Sequence, residues 1–408
     1  MRRVILLLAL SVALIAQTGP SDWPQFLGPG RDGVYRGPAL LETWPERGPR
    51  VLWRKDIGAG FAGPVVSQGH LILFHRANNR EIVEALDPAT GNSQWKYDYP
   101  TAYRDDFGFD EGPRAAPVIA DGFVYTFGAE GQLNALDLAT GKRLWGEDTR
   151  ARFKVNKGFF GAAGSPIVDQ GRVIANIGGA EAAGIVAFDA KTGKVLWTAT
   201  NDEASYSSGI VTTIGGRRTA VFLTRTNLIG LDPATGKIFF QRRWRALQAA
   251  SVNAATPVVV NDLIFVSAEY GPGAGVLRVE GSTLTPLWTN DETLNNHYST
   301  SVHRDGVLYG FHGRQEEGQD LRAVDLRTGK VRWSQERFLA GNLILAGDRL
   351  VILRETGELV LAAASPTSYQ QLARAFILPA PVRPFFALAD GRLYARNEKM
   401  MVAVDLRN

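Results

Sequence analysis

The densest group of residues able to do chemistry lies between positions 105 and 114. Asp105, Asp106, Asp110 and Glu111 supply four carboxylates, and Arg114 follows them. Carboxylate oxygens are ligands that Ca²⁺ prefers, although the ligand spacing of an EF-hand loop is absent. Arg114 can bind an anion, or it can pair with one of the neighbouring carboxylates. The segment therefore predicts a weak calcium site, an anion-binding arginine or an internal ion pair.

Other residues with polar or aromatic side chains lie in long segments between short apolar runs. If these segments meet at a concave surface, their mixture of charges, amides and rings is typical of a ligand-binding site. The same segments are equally compatible with solvated, variable loops. The candidate ligand-binding residues are Arg114, Lys157, Phe160, Tyr206, Asn253, His297, Tyr298 and Asn342.

Several functional classes find no support in the composition. The 408 residues include no cysteine, which excludes disulfides, thiolate metal sites and covalently attached c-type haem. The net charge of +4 is too small to indicate binding to nucleic acid or to an anionic membrane. The G-x-G-x-x-G, G-x-S-x-G and H-E-x-x-H signatures are absent, so no catalytic residue is identified.

A unit of about 40–50 residues recurs along the chain and must position these candidates. Its core reads Ala-Leu-Asp-x-x-Thr-Gly, followed four residues later by Trp. Clear copies begin at Ala85, Ala135, Ala187, Gly230 and Ala323. Degenerate copies run from Val279 to Trp288 and from Leu361 to Phe376.

The unit predicts a β-hairpin. In the second copy, the Asp137 carboxylate can accept hydrogen bonds from backbone N–H groups two residues on, and Gly141 can adopt a left-handed conformation. Trp145 then lies on the returning strand, where its large ring can wedge between neighbouring sheets. Since this spacing recurs, we expect these residues to hold the fold together and to touch no ligand.

Two further strands precede each hairpin, for example in residues 115–119 and 123–127. Four antiparallel strands in a unit of this length form the blade of a β-propeller. The aromatic residues of the outer strands are Trp53, Trp95, Trp145, Trp197, Phe240, Trp288, Trp333 and a residue near Phe376. We therefore predict an all-β, eight-bladed β-propeller of four-stranded antiparallel blades, whose closing blade is shared by the N- and C-terminal strands.

The motif Ala-Leu-Asp-x-x-Thr-Gly-x-x-x-Trp, together with Gly164-Ser165-Pro166-Ile167-Val168, resembles the repeat of quinoprotein (pyrroloquinoline-quinone-like, PQQ-like) propellers. Members include quinone-dependent alcohol dehydrogenases and the outer-membrane assembly lipoprotein BamB. The stretch from Asp22 to Pro29 resembles the start of bacterial secreted proteins of this class. The resemblance implies PQQ with Ca²⁺ as possible cofactors. The dehydrogenases carry adjacent cysteines and BamB-like lipoproteins carry one behind the leader, and this chain has neither.

The N-terminal residues predict export. Arg2 and Arg3 precede an apolar run from Val4 to Ala16 that is short for a membrane span, which needs roughly 20 residues. We predict a signal peptide in residues 1–16, an extended strap in 17–48 and a single propeller domain in 49–408. The protein is then periplasmic or extracellular, not a lipoprotein and without a stable membrane span, and we expect a monomer.

The leading functional hypothesis is a non-catalytic periplasmic or secreted binding or scaffold propeller that uses the loops at one channel mouth. Its partner would be a protein, glycan or small molecule of the cell envelope. The alternative is a small quinoprotein oxidoreductase resembling PQQ-dependent alcohol or sugar dehydrogenases. A hydrolase or lyase would need paired carboxylates at the mouth.

Overall fold

A computed structural model describes residues 21–245, 247–248 and 253–407. The predicted signal peptide, residues 1–16, lies outside the described residues. The described chain forms eight antiparallel sheets of four strands each, one of which gains a fifth strand, and this is the predicted eight-bladed β-propeller. Among the described residues, no helix is long and apolar enough to cross a membrane.

The first four blades follow the chain from the innermost strand outwards. Their strands are β3 (Val65–Ser67), β4 (His70–Ala77), β5 (Arg80–Leu86) and β6 (Ser93–Pro100); β7 (Val118–Ala120), β8 (Phe123–Phe127), β9 (Gln132–Asp137) and β10 (Arg143–Asp148); β11 (Ile167–Asp169), β12 (Arg172–Asn176), β13 (Ile185–Asp189) and β14 (Val195–Ala199); and β15 (Ile210–Ile214), β16 (Arg217–Leu223), β17 (Asn227–Leu231) and β18 (Ile238–Arg243). A short helix, α1 (Thr149–Phe153), follows the second blade.

The next three blades repeat this order. Their strands are β19 (Val258–Val260), β20 (Leu263–Ala268), β21 (Gly273–Glu280) and β22 (Thr283–Asn290); β23 (Val302–Arg304), β24 (Val307–His312), β25 (Asp320–Asp325) and β26 (Val331–Gln335); and β27 (Gly341–Ala346), β28 (Arg349–Arg354), β29 (Glu358–Ala363) and β30 (Gln371–Phe376). One turn of 3₁₀ helix, Gln315–Glu317, interrupts the sixth blade.

The eighth blade joins the two ends of the chain, as predicted. Its strands are β31 (Ala387–Ala389), β32 (Arg392–Arg396), β33 (Met400–Asp405) and, outermost, β2 (Arg50–Asp56). The ladder between β33 and β2 runs from Arg50 opposite Asp405 to Asp56 opposite Met400. Because β33 lies between β32 and β2, the C-terminal strand carries the closure of the ring.

The hairpin motif joins six of the eight blades to the next one. Asp137 accepts hydrogen bonds from the backbone N–H and hydroxyl of Thr140, which forms the predicted turn. Trp145 of the second blade donates its indole N–H to the Ala190 carbonyl oxygen of the third, at 2.9 Å. Gly193 has a φ of +71°, and a Cβ there would lie 2.8 Å from the Trp145 ring. The glycine therefore provides both the backbone conformation and the space for the indole.

The same indole-to-carbonyl contact recurs at six of the eight blade junctions. The remaining donors are Trp53, Trp95, Trp197, Trp288 and Trp333, which bond the carbonyls of Pro88, Leu138, Pro233, Leu326 and Ser365. The repeated aromatics thus hold the ring together, in agreement with the structural role predicted for them.

Two junctions differ from this pattern. Phe240 takes the tryptophan position of the fourth blade and has no N–H to donate, and Arg217 and Arg242 instead bond carbonyls of the fifth blade. In the seventh blade the position is occupied by Ala373, which pairs with Leu361. Placing this aromatic near Phe376 was wrong.

Phe376 lies three residues further along the strand and is 74% exposed. The N-terminal segment closes this junction instead. Trp44 packs in the same core as Ala373, Gly48 lies against Ala375, and Leu41 donates its N–H to the Leu406 carbonyl oxygen.

Residues 21–35 cross the channel that the inner strands surround. Trp23 exchanges backbone hydrogen bonds with Val66 of the first blade, and Ile119 of the second blade donates its N–H to the Pro24 carbonyl oxygen. The two-residue strand β1 (Val34–Tyr35) then adds to β27 of the seventh blade in parallel. Since all three partners belong to inner strands, the segment lies inside the channel.

Candidate binding site at the channel mouth

The strand directions bring two sets of loops to one end of the channel. Outer-to-inner loops leave each fourth strand, and the turns between second and third strands reach the same end because the strands alternate in direction. Together they enclose a cavity of about 420 Å³, here called the mouth pocket. The Asp-x-x-Thr-Gly turns lie at the opposite end, here called the turn end.

Aromatic rings form most of the mouth pocket. Phe26 of the N-terminal segment lies edge-to-face with Phe385, with ring centroids 4.7 Å apart, and both line the cavity. Phe107 and Phe109 are 51% and 45% exposed at the rim. The other aromatic lining residues include Phe61, Phe160, Tyr206, Tyr270 and Tyr298.

Arg114 lines the pocket and is held by an ion pair. Its Nη2 donates to Asp105 Oδ2 at 2.8 Å and to the Asp110 carbonyl oxygen at 3.0 Å. Its guanidinium carbon lies 5.3 Å from the centroid of the Phe61 ring and 5.6 Å from that of Phe160. Of the alternatives that the sequence left open for Arg114, the structure shows the pairing with a neighbouring carboxylate.

The other two arginines of the pocket repeat this arrangement. Arg383 Nε donates to Glu355 Oε1 at 3.0 Å, and Arg314 Nε lies 3.5 Å from Glu316 Oε2. The rings that these two guanidinium groups face are Phe109 and Tyr270, at 5.5 and 5.2 Å from the ring centroids. Each cation of the pocket is therefore neutralised by a carboxylate and covers an aromatic face.

The four carboxylates predicted as a weak metal site point to different partners. Asp105, besides Arg114, accepts the backbone N–H groups of Phe107, Phe109 and Asp110, and so shapes the loop. The partners of the remaining three are Lys157 for Asp106, the backbone N–H groups of Gly60 and Gly112 for Asp110, and Arg76 and Arg104 for Glu111.

Within the part of the chain that the structure describes, no three His, Asp or Glu side chains are grouped to hold a metal ion. The calcium prediction gains no support from these contacts. The acidic loop instead uses its charges to hold Arg114 and its own backbone.

His297 and Tyr298 line the pocket on the side opposite Arg114's loop. Burial lowers the pKa of His297 to about 4, so its imidazole is neutral at physiological pH. Its Nε2 lies 3.2 Å from the Tyr270 hydroxyl oxygen. Burial also raises the pKa of the Tyr298 phenol. Both groups are thus uncharged and add polar atoms but no charge to the pocket.

Of the eight ligand-binding candidates, five line the mouth pocket: Arg114, Phe160, Tyr206, His297 and Tyr298. Lys157 lines a smaller neighbouring cavity of about 90 Å³. Asn253 and Asn342 use their amides to bond backbone carbonyls, namely those of Trp244 at 3.0 Å and Arg383 at 2.9 Å. These two asparagines position the loops that surround the pocket.

Sequence reasoning missed several lining residues. Phe26 reaches the pocket from the N-terminal segment, and Tyr270 and Arg314 reach it from turns between second and third strands. The alternation of strand direction was a usable signal, because it places those turns at the mouth. The aromatic–proline stretch from Asp22 to Pro29 suits a strap across the ring, but no local pattern indicates that it enters the channel.

The family comparison covers most of the chain. The family described as outer membrane protein assembly factor BamB matches residues 37–176, 79–335 and 181–408. The quinohemoprotein alcohol dehydrogenase of Comamonas testosteroni is 30% identical over 228 residues, which is 48% of this chain and 31% of that protein. Quinohemoprotein alcohol dehydrogenase ADH-IIG of Pseudomonas putida is 33% identical over 151 residues, 36% and 20% of the two chains. The matches thus span less than a third of these relatives.

Solved structures share the fold at low identity. BamB from Moraxella catarrhalis superposes with a TM-score of 0.65 at 15% identity, over 88% of this chain and 99% of that one. The Comamonas testosteroni quinohemoprotein alcohol dehydrogenase gives a TM-score of 0.66 at 17% identity, over 96% and 82%. With its repeat, its eight blades and the match along most of its length, the chain belongs to the BamB family of PQQ-like β-propellers.

Proposed function

We propose that this protein is a non-catalytic binding propeller of the cell envelope, which receives an apolar segment of a partner protein in the mouth pocket. The observation that carries the proposal is the character of the pocket: its walls are aromatic, and its three arginines are already paired with carboxylates. Such a pocket offers apolar contact area and ring faces. Among the described lining residues, it offers no carboxylate free of a cation.

The rim supports a protein partner in particular. Phe107 and Phe109 expose about half of their side chains beside a cavity, and exposed aromatic groups of this kind are typical of interaction sites. Aromatic residues and arginines also dominate the central contacts of protein interfaces. The family's description as an assembly factor of outer membrane proteins agrees with a partner in the envelope.

The resemblance to quinone-dependent alcohol dehydrogenases implies PQQ with calcium, and the described residues do not fit that pair. Calcium needs several carboxylate or carbonyl oxygens that no cation has already engaged. Glu316 is the one carboxylate among the described lining residues, and it lies 3.5 Å from Arg314. The described lining residues therefore supply neither a set of calcium ligands nor a free carboxylate to act as a base, and we assign the pocket no redox step.

Photo-crosslinking in cells tests the proposal. A benzophenone amino acid at position 109 should give a discrete adduct with one envelope protein. The matched control is position 376, another exposed phenylalanine on the outer strand of the seventh blade. The double variant Phe107→Ser/Phe109→Ser should abolish an adduct formed from position 160. Equal adducts from positions 109 and 376, or none from either, would contradict a partner at the mouth.

A second experiment decides between the proposal and the oxidoreductase alternative. Purified protein is mixed with PQQ and Ca²⁺, and quinone retention and dye reduction by alcohols or sugars are measured. We expect neither. Stoichiometric retention with alcohol-dependent dye reduction would establish the oxidoreductase instead.

A further inference from the structure

Arg31 and Arg396 are both buried in the propeller, and their surroundings differ sharply. Arg396 donates from Nε, Nη1 and Nη2 to the carbonyl oxygens of Asn397, Phe74 and Gly58. Arg31 is 3% exposed, and among the described residues its guanidinium has one hydrogen bond, from Nη2 to the Ser165 carbonyl oxygen at 3.3 Å. Its Nε and Nη1 are buried without a partner. Arg31 is thus a buried cation with two free donors.

A free buried cation of this kind calls for an anion. Removing a guanidinium from water is costly unless an opposite charge or a full set of acceptors replaces the lost hydration. Burial lowers the pKa of Arg31 to about 9, so the group stays protonated at neutral pH. Arg396 meets the requirement with three carbonyls, whereas the described protein groups around Arg31 leave it unmet.

The loop that carries Arg31 is fixed in the channel. Arg31 has a φ of +53° and Leu27 a φ of +60°, a conformation that is unfavourable for residues other than glycine. Hydrogen bonds from Arg31 N to the Gly28 carbonyl and from Gly33 N to the Leu27 carbonyl, both 3.0 Å, close the loop. The guanidinium therefore extends from a rigid turn, and such a pre-organised group loses little freedom when it binds a ligand.

Arg31 also contacts a residue that lines the mouth pocket. Its partner Ser165 lines the pocket and stands two residues before the inner strand of the third blade. Thr256 has the corresponding position in the fifth blade, and Ser299 precedes the inner strand of the sixth. The hydroxyl oxygens of Thr256 and Ser299 are buried without a partner among the described residues.

We propose that the channel binds a small anion beside Arg31, with the guanidinium Nε and Nη1 as its donors. The anion is either a free inorganic ion or the carboxylate of a molecule that enters through the mouth, and both present the same chemistry to the guanidinium. The site does not depend on the apolar partner proposed above.

Anion titrations test the site. Thermal unfolding of the protein is followed in chloride, phosphate or acetate, with gluconate holding the ionic strength constant. We expect a saturable rise in the unfolding midpoint of about 2–4 °C with at least one of the three small anions. Binding by chloride or phosphate identifies an inorganic ion, and binding by acetate alone identifies a carboxylate site.

Variants locate the effect. Arg31→Met should abolish the saturable rise, whereas Arg36→Met, which removes an exposed arginine of the same segment, should retain it. Line broadening of the ³⁵Cl resonance and its reversal by phosphate or acetate provide a direct readout on the wild-type protein, which decides the matter if Arg31→Met fails to fold. Absence of saturable anion binding in the wild type, or its persistence in Arg31→Met, overturns the site. The Phe107→Ser/Phe109→Ser variant should bind the anion normally, which separates this test from that of the mouth partner.

Discussion

The turn end and the mouth end of this propeller are built from the same strands but follow different rules. At the turn end, Asp137 bonds its own turn and Trp145 bonds the next blade, and the pattern repeats around the ring. At the mouth, loops of different length pair their charges, as Arg114 does with Asp105, and turn aromatic rings towards a cavity. Residues in the repeat therefore stabilise the fold, and departures from the repeat form the site.

The junctions between blades refine this comparison. Six are joined by an indole N–H, whereas the fourth-to-fifth junction uses arginine-to-carbonyl bonds and the seventh-to-eighth junction uses the N-terminal segment. Where the repeated tryptophan is lost, a contact of another kind replaces it. Four predictions test how far the two ends are independent.

Removal of the closing strand should have the largest effect. Deleting residues 402–408 leaves β2 without its neighbour and exposes the edges of β2 and β32. We expect loss of cooperative unfolding, or aggregation, in denaturation followed by circular dichroism. A truncated protein that unfolds at the wild-type midpoint would show that ring closure contributes nothing to stability.

Trp145→Ala should be the most damaging single substitution at the turn end. The indole is partly buried and packs between the second and third blades. We therefore expect a loss of about 3 kcal/mol in the free energy of unfolding, at the lower end of the range for replacing a buried aromatic side chain by alanine. Urea denaturation measures it. Binding at the mouth should be unchanged in the folded fraction. Full stability combined with lost binding would mean that the repeated aromatics contact ligand.

Two glycine substitutions separate backbone strain from the tryptophan contact. Gly193 and Gly281 have φ values of +71° and +65°, but only at Gly193 would a Cβ meet an indole, at 2.8 Å. Gly281→Ala should cost about 1–2 kcal/mol from strain alone. Gly193→Ala should cost a further 1–3 kcal/mol, roughly, because the added methyl displaces Trp145. Equal urea midpoints for the two variants would show that the glycine–indole contact is not tight.

His297 at the mouth and Asp137 at the turn end should differ in their response to acid. Because burial lowers the pKa of His297 to about 4 from 6.5, the unfolded chain binds the proton first, and stability falls as the pH drops from 6.5 towards 4. The wild type should lose up to about 2 kcal/mol of its free energy of unfolding between pH 7 and pH 5 through this group, and His297→Gln should not show that loss. Urea midpoints between pH 3 and 8 measure this dependence.

The turn end provides the contrast in the same titration. Hydrogen bonds from Thr140 lower the pKa of Asp137 below 3.8. The contribution of Asp137 to the free energy of unfolding is therefore complete above that pH and is lost only in more acidic solution. Asp137→Asn should leave the fall in the urea midpoint between pH 6.5 and pH 4 unchanged. If Asp137→Asn and His297→Gln both remove that fall, His297 is not the group that titrates in this range.

Much of the turn end could be predicted from the sequence because its interactions are local and periodic. Asp137, Gly141 and Trp145 follow one another within nine positions, and each has a definite physical task in a hairpin. The seventh blade shows the limit of such reasoning. Its tryptophan position holds Ala373, and the neighbouring Phe376 misled the assignment because an aromatic residue near the right position does not reveal on which face of the strand it lies.

The mouth was only partly predictable, and the reason is distance along the chain. That Arg114 pairs with Asp105 was among the sequence-based alternatives, since both lie in one loop, but the choice between an ion pair and an anion site required the coordinates. The presence of Phe26 beside Phe385 depends on two segments that are far apart in sequence.

The sequence by itself determined the propeller, its eight blades and the closure by the two ends, because a repeat encodes its own hairpins and the stacking of one copy on the next. Only the tertiary structure decided that the N-terminal segment enters the channel and leaves Arg31 buried with two free donors. Such a placement depends on which non-repeated segment fills the space that the repeats enclose, and no periodic pattern encodes that choice.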